Sequence, residues 1–320
     1  MRRAAAVLAG GMLAGAAGLA LAQYPQRPLR VVVPYAAGGS TDVLARIVGQ
    51  RLTERLGQQV VVDNRTGAGT IIATEIVARA APDGYTLLMA TPPLAVAPSL
   101  YAKLPFDPAR DFAAVTNIAG TSNVLVVHPA VPAQSVKELV ALAKAQPGKL
   151  AYGSSGTGGA SHLAMELFRS MAGIEIVHVP YKGGAVAVTD LLGGRLQLLF
   201  ANLTTIQPHL KTGRARALAI GTAQRSPLAP DLPTVAEAGL AGYEANNWNG
   251  VVVPAGTPVA VVERLQREIV AVIAEPAMRE RLLASAFEPI GDTPAQFARY
   301  LAAERVKWGK VVREAGIRAD

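Results

Sequence analysis

Glycine clusters sit where strand-like runs give way to helix-like runs, at Gly38-Gly39, from Gly153 to Gly159, and at Gly183-Gly184. A short β-branched run, a glycine turn and an amphipathic stretch together make a β-loop-α unit. Units repeated in series predict a parallel sheet covered by helices. Leu29 to Val33 reads as a buried strand stopped by Pro34, and Val43, Leu44, Ile47, Val48, Leu52 and Leu56 then fall on one helical face. Val60 to Val62 and Tyr85 to Met89 continue the series. A second series starts near Val124 to Val127 and runs through Leu150 to Tyr152, Ile176 to Val179, Leu196 to Phe200 and Ala215 to Ile220. Trp248 to Val253 returns as a strand, and three helical segments follow at about 258–274, 276–285 and 294–315. No long polar linker divides the series, so two α/β lobes that share chain crossings are expected.

The length agrees. Of 320 residues, the first 22 read as a cleavable export signal: Arg2 and Arg3, an uncharged Ala/Leu/Gly stretch, and Ala20-Leu21-Ala22 before Gln23. The remaining 298 suit about two domains. Removing the two leader arginines takes the charge from +8 to 29 − 23 = +6, and the basic residues are dispersed rather than clustered as nucleic-acid binding requires. Zero cysteines exclude disulfides, thiolate metal sites and cysteine nucleophiles, and the four histidines never fall at H-x-x-x-H spacing. A P-loop is absent, G-x-S-x-G and H-E-x-x-H are absent, and the dinucleotide pattern begun at Gly156-Thr157-Gly158 ends on Ser161. The sequence calls for no metal and no cofactor.

What the loops offer is anion binding. The first turn of a helix has unpaired N–H groups and the positive end of the helix dipole. Glycine lets such a turn adopt positive φ and approach a ligand closely. Ser40, Thr41, Ser154, Ser155, Thr157 and Ser161 add hydroxyls. Asp42, in a first helical turn, reads as a capping residue rather than an acid or base. His162 is placed either to reach a cleft or to satisfy local hydrogen bonds, and His178 on a strand reads as structural. Lys182 and Arg65 read as solvated cations, of which Lys182 is placed to attract an acidic ligand. Trp248 and Tyr181 are candidates for either cavity wall or core.

The runs VVVPYAAGGSTDVLAR, VVVDNRTGAGTIIATEIVARAAPDGYTLLMAT, AYGSSGTGGASHLAMELF, VPYKGGA, DLLGG and SPLAPDLPTVAEAGLAGYE occur in this order. Together they resemble the Bug family, the substrate-binding proteins of tripartite tricarboxylate transporters, over residues 24 to 318. The resemblance implies a type II-like periplasmic binding protein in which each lobe is a mostly parallel sheet flanked by helices, with the ligand cleft between lobes. The expected bounds are 23–122 plus 247–320 for lobe one and 123–246 for lobe two, hinged near Thr121–Asn123 and Asn246–Trp248. Carried onto this sequence, the ligand-binding residues are Ala37, Gly38, Gly39, Ser40, Thr41, Asp42, Thr91, Ser154, Ser155, Gly156, Thr157, Ser161, His162, Tyr181, Lys182, Gly183, Gly184 and Asn202. The family usually shows Pro-Gly-Gly before its Ser/Thr-Asp pair. Here Tyr35-Ala36-Ala37 precedes Gly38, which predicts a different pocket floor.

The implied function is that of a monomeric, non-enzymatic periplasmic receptor. It would capture a small carboxylate (dicarboxylate, tricarboxylate, amino acid or aromatic acid) for a membrane permease. Presentation to a sensor kinase is the alternative within the same fold. An exported hydrolase or lyase of a small acid is the rival from another class, told apart by turnover without metal or cysteine.

Overall fold

The computed structural model describes residues 24–314 and 316–317, so the expected leader lies outside the described residues. In chain order the elements are β1 (Leu29–Val33), α1 (Ser40–Leu56), β2 (Val60–Asn64), α2 (Ile71–Ala78), β3 (Thr86–Ala90), α3 (Pro92–Leu100) and β4 (Phe112–Thr121). Next come β5 (Asn123–Val127), α4 (Val136–Ala145), β6 (Ala151–Ser154), α5 (Ala160–Ala172), β7 (Val177–Pro180), α6 (Gly184–Leu192), β8 (Leu198–Asn202), α7 (Leu203–Lys211) and β9 (Arg216–Ile220). The chain ends with β10 (Asn247–Pro254), α8 (Val259–Ala274), α9 (Pro276–Ala284), β11 (Glu288–Pro289) and α10 (Pro294–Glu314). Among the described residues no helix is long and apolar enough to cross a membrane.

The strands form two sheets, β11-β4-β10-β3-β1-β2 and β7-β6-β8-β5-β9, each flanked by helices. Alternation explains why both faces of each sheet are covered. Val31 and Val33 point into one core with Leu44, Met89 and Leu265, while Val32 points into another with Leu88, Trp248 and Phe297. In the second sheet Leu125 and Val127 share a core with Tyr152 and Phe168, and Val124 and Val126 share one with Leu191 and Ile206. Strands buried on both faces read as unbroken apolar runs, as these do.

Each sheet is parallel on one side only. β2, β1 and β3 run together, as do β7, β6 and β8. β10 lies antiparallel to β3 and β4, and β5 antiparallel to β8 and β9. The reason is topological: β5 and β10 are entered directly from the other lobe, at Ser122 and Asn246, rather than through a crossover helix.

The two lobes also share apolar packing. Val96 and Leu100 of α3 and Trp308 and Val312 of α10 belong to the same buried cluster as Tyr152, Leu163 and Phe168 of the second sheet. Periodicity does not reveal α3. Its segment opens Pro92-Pro93 and contains Pro98, yet all but two of its residues are buried, so packing overrides propensity.

Candidate functional site

The parallel strands end towards the gap between the sheets, where ligands lodge in open α/β folds. A cavity there is lined by Tyr35, Gly39, Ser40, Thr41, Thr91, Ser155, Ala160, Ser161, Gly184, Ala185, Val188, Phe200, Ala201, Asn202, Thr205 and Asn247. Five helix N-termini meet at it, those of α1, α3, α5, α6 and α7, and none is capped by a side chain. The contrast is α4, away from the cavity, whose Ser135 accepts from Glu138 N–H in the ordinary way. No lysine, arginine or histidine is among the described lining residues. Positive potential in this cavity therefore comes from main-chain N–H groups and helix dipoles.

The hydroxyls are oriented by their own partners. Asn202 donates its amide hydrogen to Ser40 Oγ, which leaves the Ser40 proton to be given into the cavity. Ser161 Oγ accepts from Ser155 N–H at 2.8 Å and donates to Ser155 Oγ at 3.0 Å, so the Ser155 hydroxyl is likewise a free donor. Thr41 donates to Asn249 Oδ1 at 2.9 Å, and Tyr35 Oη lies 3.2 Å from Thr91 Oγ1. Burial pushes the Tyr35 phenol up to about 12, so it stays protonated. Two lobes thus present donors to one space.

A second cavity adjoins the first through Tyr35 and Ser155 and is lined by Gly67 to Thr70, Tyr101, Gly156, Thr157, Tyr181 and Lys182. The lobes touch around it. Ala36 N–H donates to Lys182 O at 3.2 Å, and the Tyr101 hydroxyl lies 3.4 Å from both Ala68 O and Thr157 O. These contacts bridge the cleft.

Of the expected ligand residues, Gly39, Ser40, Thr41, Thr91, Ser155, Ser161, Gly184 and Asn202 line the main cavity, and Gly156, Thr157, Tyr181 and Lys182 line its neighbour. Ala37 and Gly38 are exposed at the rim, and Gly183 packs against Ala36. Asp42, Ser154 and His162 stand behind the loops and hold them. Asp42 accepts from Gly38 N–H at 2.9 Å and Asn64 Nδ2 at 3.0 Å and pairs with Arg46. Burial opposes its charge, but Arg46, Gly38 and Asn64 outweigh that and hold the carboxyl below the usual range. Asp42 thus braces the loop ahead of α1 and puts its charge in the first helical turn, without capping the helix N–H groups. Trp248 is core, with its Nε1–H on Glu304.

The glycine loops differ from expectation in the same way, with Gly39, Gly159 and Gly184 outside the positive-φ region and Gly38, Gly158 and Gly183 within it. The sequence suggests positive φ for the glycine pairs as such, yet Gly39 has φ −74° and Gly38 carries the turn at +82°. Gly39 is the N-cap, and an N-cap needs extended backbone.

Sequence reading does not single out Tyr35, Ala160, Ala185, Val188, Phe200, Ala201 or Thr205 as ligand residues, and places Asn247 only in the hinge. Most sit beside residues that it does name. Val188 lies one helical turn beyond Gly184, and Phe200 and Ala201 precede Asn202 on β8. Asn247 donates to Asn202 Oδ1 at 2.8 Å, while its own Oδ1 is buried without a hydrogen-bond partner.

A family model described as tripartite tricarboxylate transporter family receptor, TctC, matches residues 44–317. The chain belongs to this receptor family. Among relatives of these receptors, protein BugT of Bordetella pertussis is 39% identical over 295 residues, covering 92% of this chain and 90% of its own. Two solved receptors superpose closely. R. palustris Rpa4515 with adipate has a TM-score of 0.89 at 41% identity, covering 92% of this chain and 99% of its own. MatC from Rhodopseudomonas palustris with bound malate has a TM-score of 0.87 at 29% identity, covering 90% and 100%. Family members are periplasmic solute-binding proteins rather than enzymes, and their two-lobed fold is the one expected from sequence.

Proposed function

We propose that the protein is a periplasmic receptor that closes on a small carboxylate and delivers it to the membrane permease of a tripartite tricarboxylate transporter. The convergence of five uncapped helix N-termini on a cavity without a cationic side chain carries this reading. A carboxylate accepts several N–H and O–H bonds at once, and such charge-assisted bonds are the strong ones. A cationic ligand would face the positive ends of the helices. Val188, Phe200, Ala201 and the methyl of Ala185 give the same cavity an apolar wall for the carbon frame of the acid. The ligand is therefore an acid with an aliphatic or aromatic frame. Adipate and malate, bound by the relatives above, define the size range to test.

The proposed lobes are 23–122 with 247–320 and 123–246, turning at Thr121–Asn123 and Asn246–Trp248, and the chain acts as a monomer after export removes residues 1–22. The experiment is a thermal-shift screen of mono- and dicarboxylic acids on mature protein, followed by titration calorimetry. Ligand at 100 times its dissociation constant adds about 2.7 kcal/mol of stability. Absence of a shift with every acid, or binding of amines instead, would overturn the proposal. A pull-down with membrane subunits from the same genome tests delivery, and turnover of a bound acid would transfer the protein to the enzyme class.

A further inference from the structure

Behind the glycine loop between β6 and α5 lies a column of rings. Tyr152 of β6 stacks on His178 of β7 at 4.8 Å between centroids, and His178 stacks on His162 of α5 at 4.1 Å. Neither imidazole lines the cavity. Each holds the loop that does. Gly158 N–H donates to His162 Nδ1 at 3.1 Å, so that nitrogen carries no proton. Ser154 Oγ accepts from Gly156 N–H at 3.1 Å and lies 2.6 Å from His178 Nε2, which takes the Ser154 proton when that nitrogen is bare. Between these two anchors the loop presents Ser155, and beyond them the first turn of α5, to the cavity.

We infer that His162 and His178 are positioning residues of the ligand loop, and that both rings must be unprotonated for the loop to hold a carboxylate. This rests on the proposed function above. Protonation of His162 at Nδ1 removes the acceptor for Gly158. Protonation of His178 leaves the ring no nitrogen that can accept the Ser154 proton. Either event also places a charge 4.1 Å from the other ring. The acids around the column are already engaged. Glu166 of α5 accepts from the Tyr152 hydroxyl at 2.6 Å and is paired with Arg169 at 2.7 Å, and Glu175 faces Arg169 in turn. Burial lowers both histidines, and for His178 the neighbouring ring adds to it, bringing it to about 4. The sign follows. A group depressed in the ligand-ready loop favours that state fully above its ordinary value of about 6.5, and the advantage is lost as pH falls from there towards 4.

The test uses adipate, with malate as second probe, in calorimetry on the mature protein between pH 7.5 and pH 5. Three proteins are compared: wild type, the double variant His162→Asn with His178→Gln, and His162→Phe. Asn and Gln keep an acceptor near each ring nitrogen but cannot titrate, so the double variant reports the probe's own protonation. The expected result is a wild-type affinity that falls at least tenfold more than that of the double variant over this range. His162→Phe keeps the stack, loses the acceptor, and is expected to bind at least tenfold more weakly at pH 7.5. A readout without ligand accompanies it. The Gly158 amide should shift with pH in the nuclear magnetic resonance spectrum of wild type and stay constant in the double variant. Parallel pH profiles, or wild-type affinity in folded His162→Phe, overturn the positioning role alone. A wild type that binds neither probe nor any other carboxylic acid at pH 7.5, while its Gly158 amide still titrates, overturns the carboxylate reading instead.

Discussion

The main-chain N–H of Ala36 donates to the main-chain carbonyl of Lys182 at 3.2 Å, joining the loop after β1 to the loop after β7 across the cleft. The clasp involves no side chain from either residue. Lys182→Ala is therefore expected to leave carboxylate affinity within about twofold of wild type at moderate salt, because an exposed lysine mainly steers encounter. Gly183→Val is expected to weaken binding at least tenfold. Gly183 has φ +146°, and a Cβ there meets Ala36 N at 3.4 Å and Ala36 Cβ at 3.5 Å. Calorimetry on variants shown folded by circular dichroism decides. Loss of binding in Lys182→Ala alone would replace the amide cradle with a charge pair.

Gly69 makes the second approach between lobes. An added methyl would sit 2.1 Å from Thr157 O at φ +59°. Gly69→Ala is expected to hold the cleft ajar, with a larger ligand-bound radius of gyration in small-angle scattering and weaker binding. Compaction equal to wild type would show that closure does not pass through this contact.

Asn202, at the end of β8 in the second sheet, binds residues in or beside the first sheet twice, giving a hydrogen to Ser40 and taking one from Asn247 at 2.8 Å. Asn202→Ala removes both bonds and frees the Ser40 hydroxyl to turn. With each bond worth about 0.5–1.5 kcal/mol, affinity is expected to fall roughly tenfold. Asn202→Asp places a negative charge in a cavity suited to a carboxylate and should be worse than alanine. Tighter binding by the Asn202→Asp variant would mean the cavity takes a cation.

Asp42 gives a prediction about acid stability. Its folded carboxyl is held below the usual range, so its stabilisation is complete above the unfolded value of about 3.9 and is lost as pH falls through the folded one. Thermal unfolding should show wild type more stable than Asp42→Asn at pH 6, with the gap narrowing below about pH 4. A gap that is constant with pH would mean the loss is packing rather than charge.

Legibility in the sequence follows physical scale. Strands such as Leu29–Val33 and helices such as Ser40–Leu56 carry their own periodicity, and the glycine loops mark where strands turn into helices. The cavity residues next to those loops are within reach for the same reason. Two things are not. The proline-bearing α3 and the wall residues Val188 and Phe200 are defined by what packs on them from distant segments. The histidines are ambiguous because a ring behind a loop and a ring inside a cleft have the same spacing in sequence. Only the 3.1 Å contact from Gly158 places His162 behind.

Val96 and Leu100 come from before the first crossing and Trp308 and Val312 from after the last, yet they complete the core of the sheet that lies between. Neither lobe is thus a portable module. A fragment cut at the two crossings would lose Val96, Leu100, Trp308 and Val312 from its buried cluster, and a chimaera that exchanged residues 123–246 between family members would exchange half an interface with its partner left behind. Ligand preference in such a receptor is expected to evolve by substitution at the cavity wall and not by trading lobes, because one of its hydrophobic cores is built from chain on both sides of each crossing.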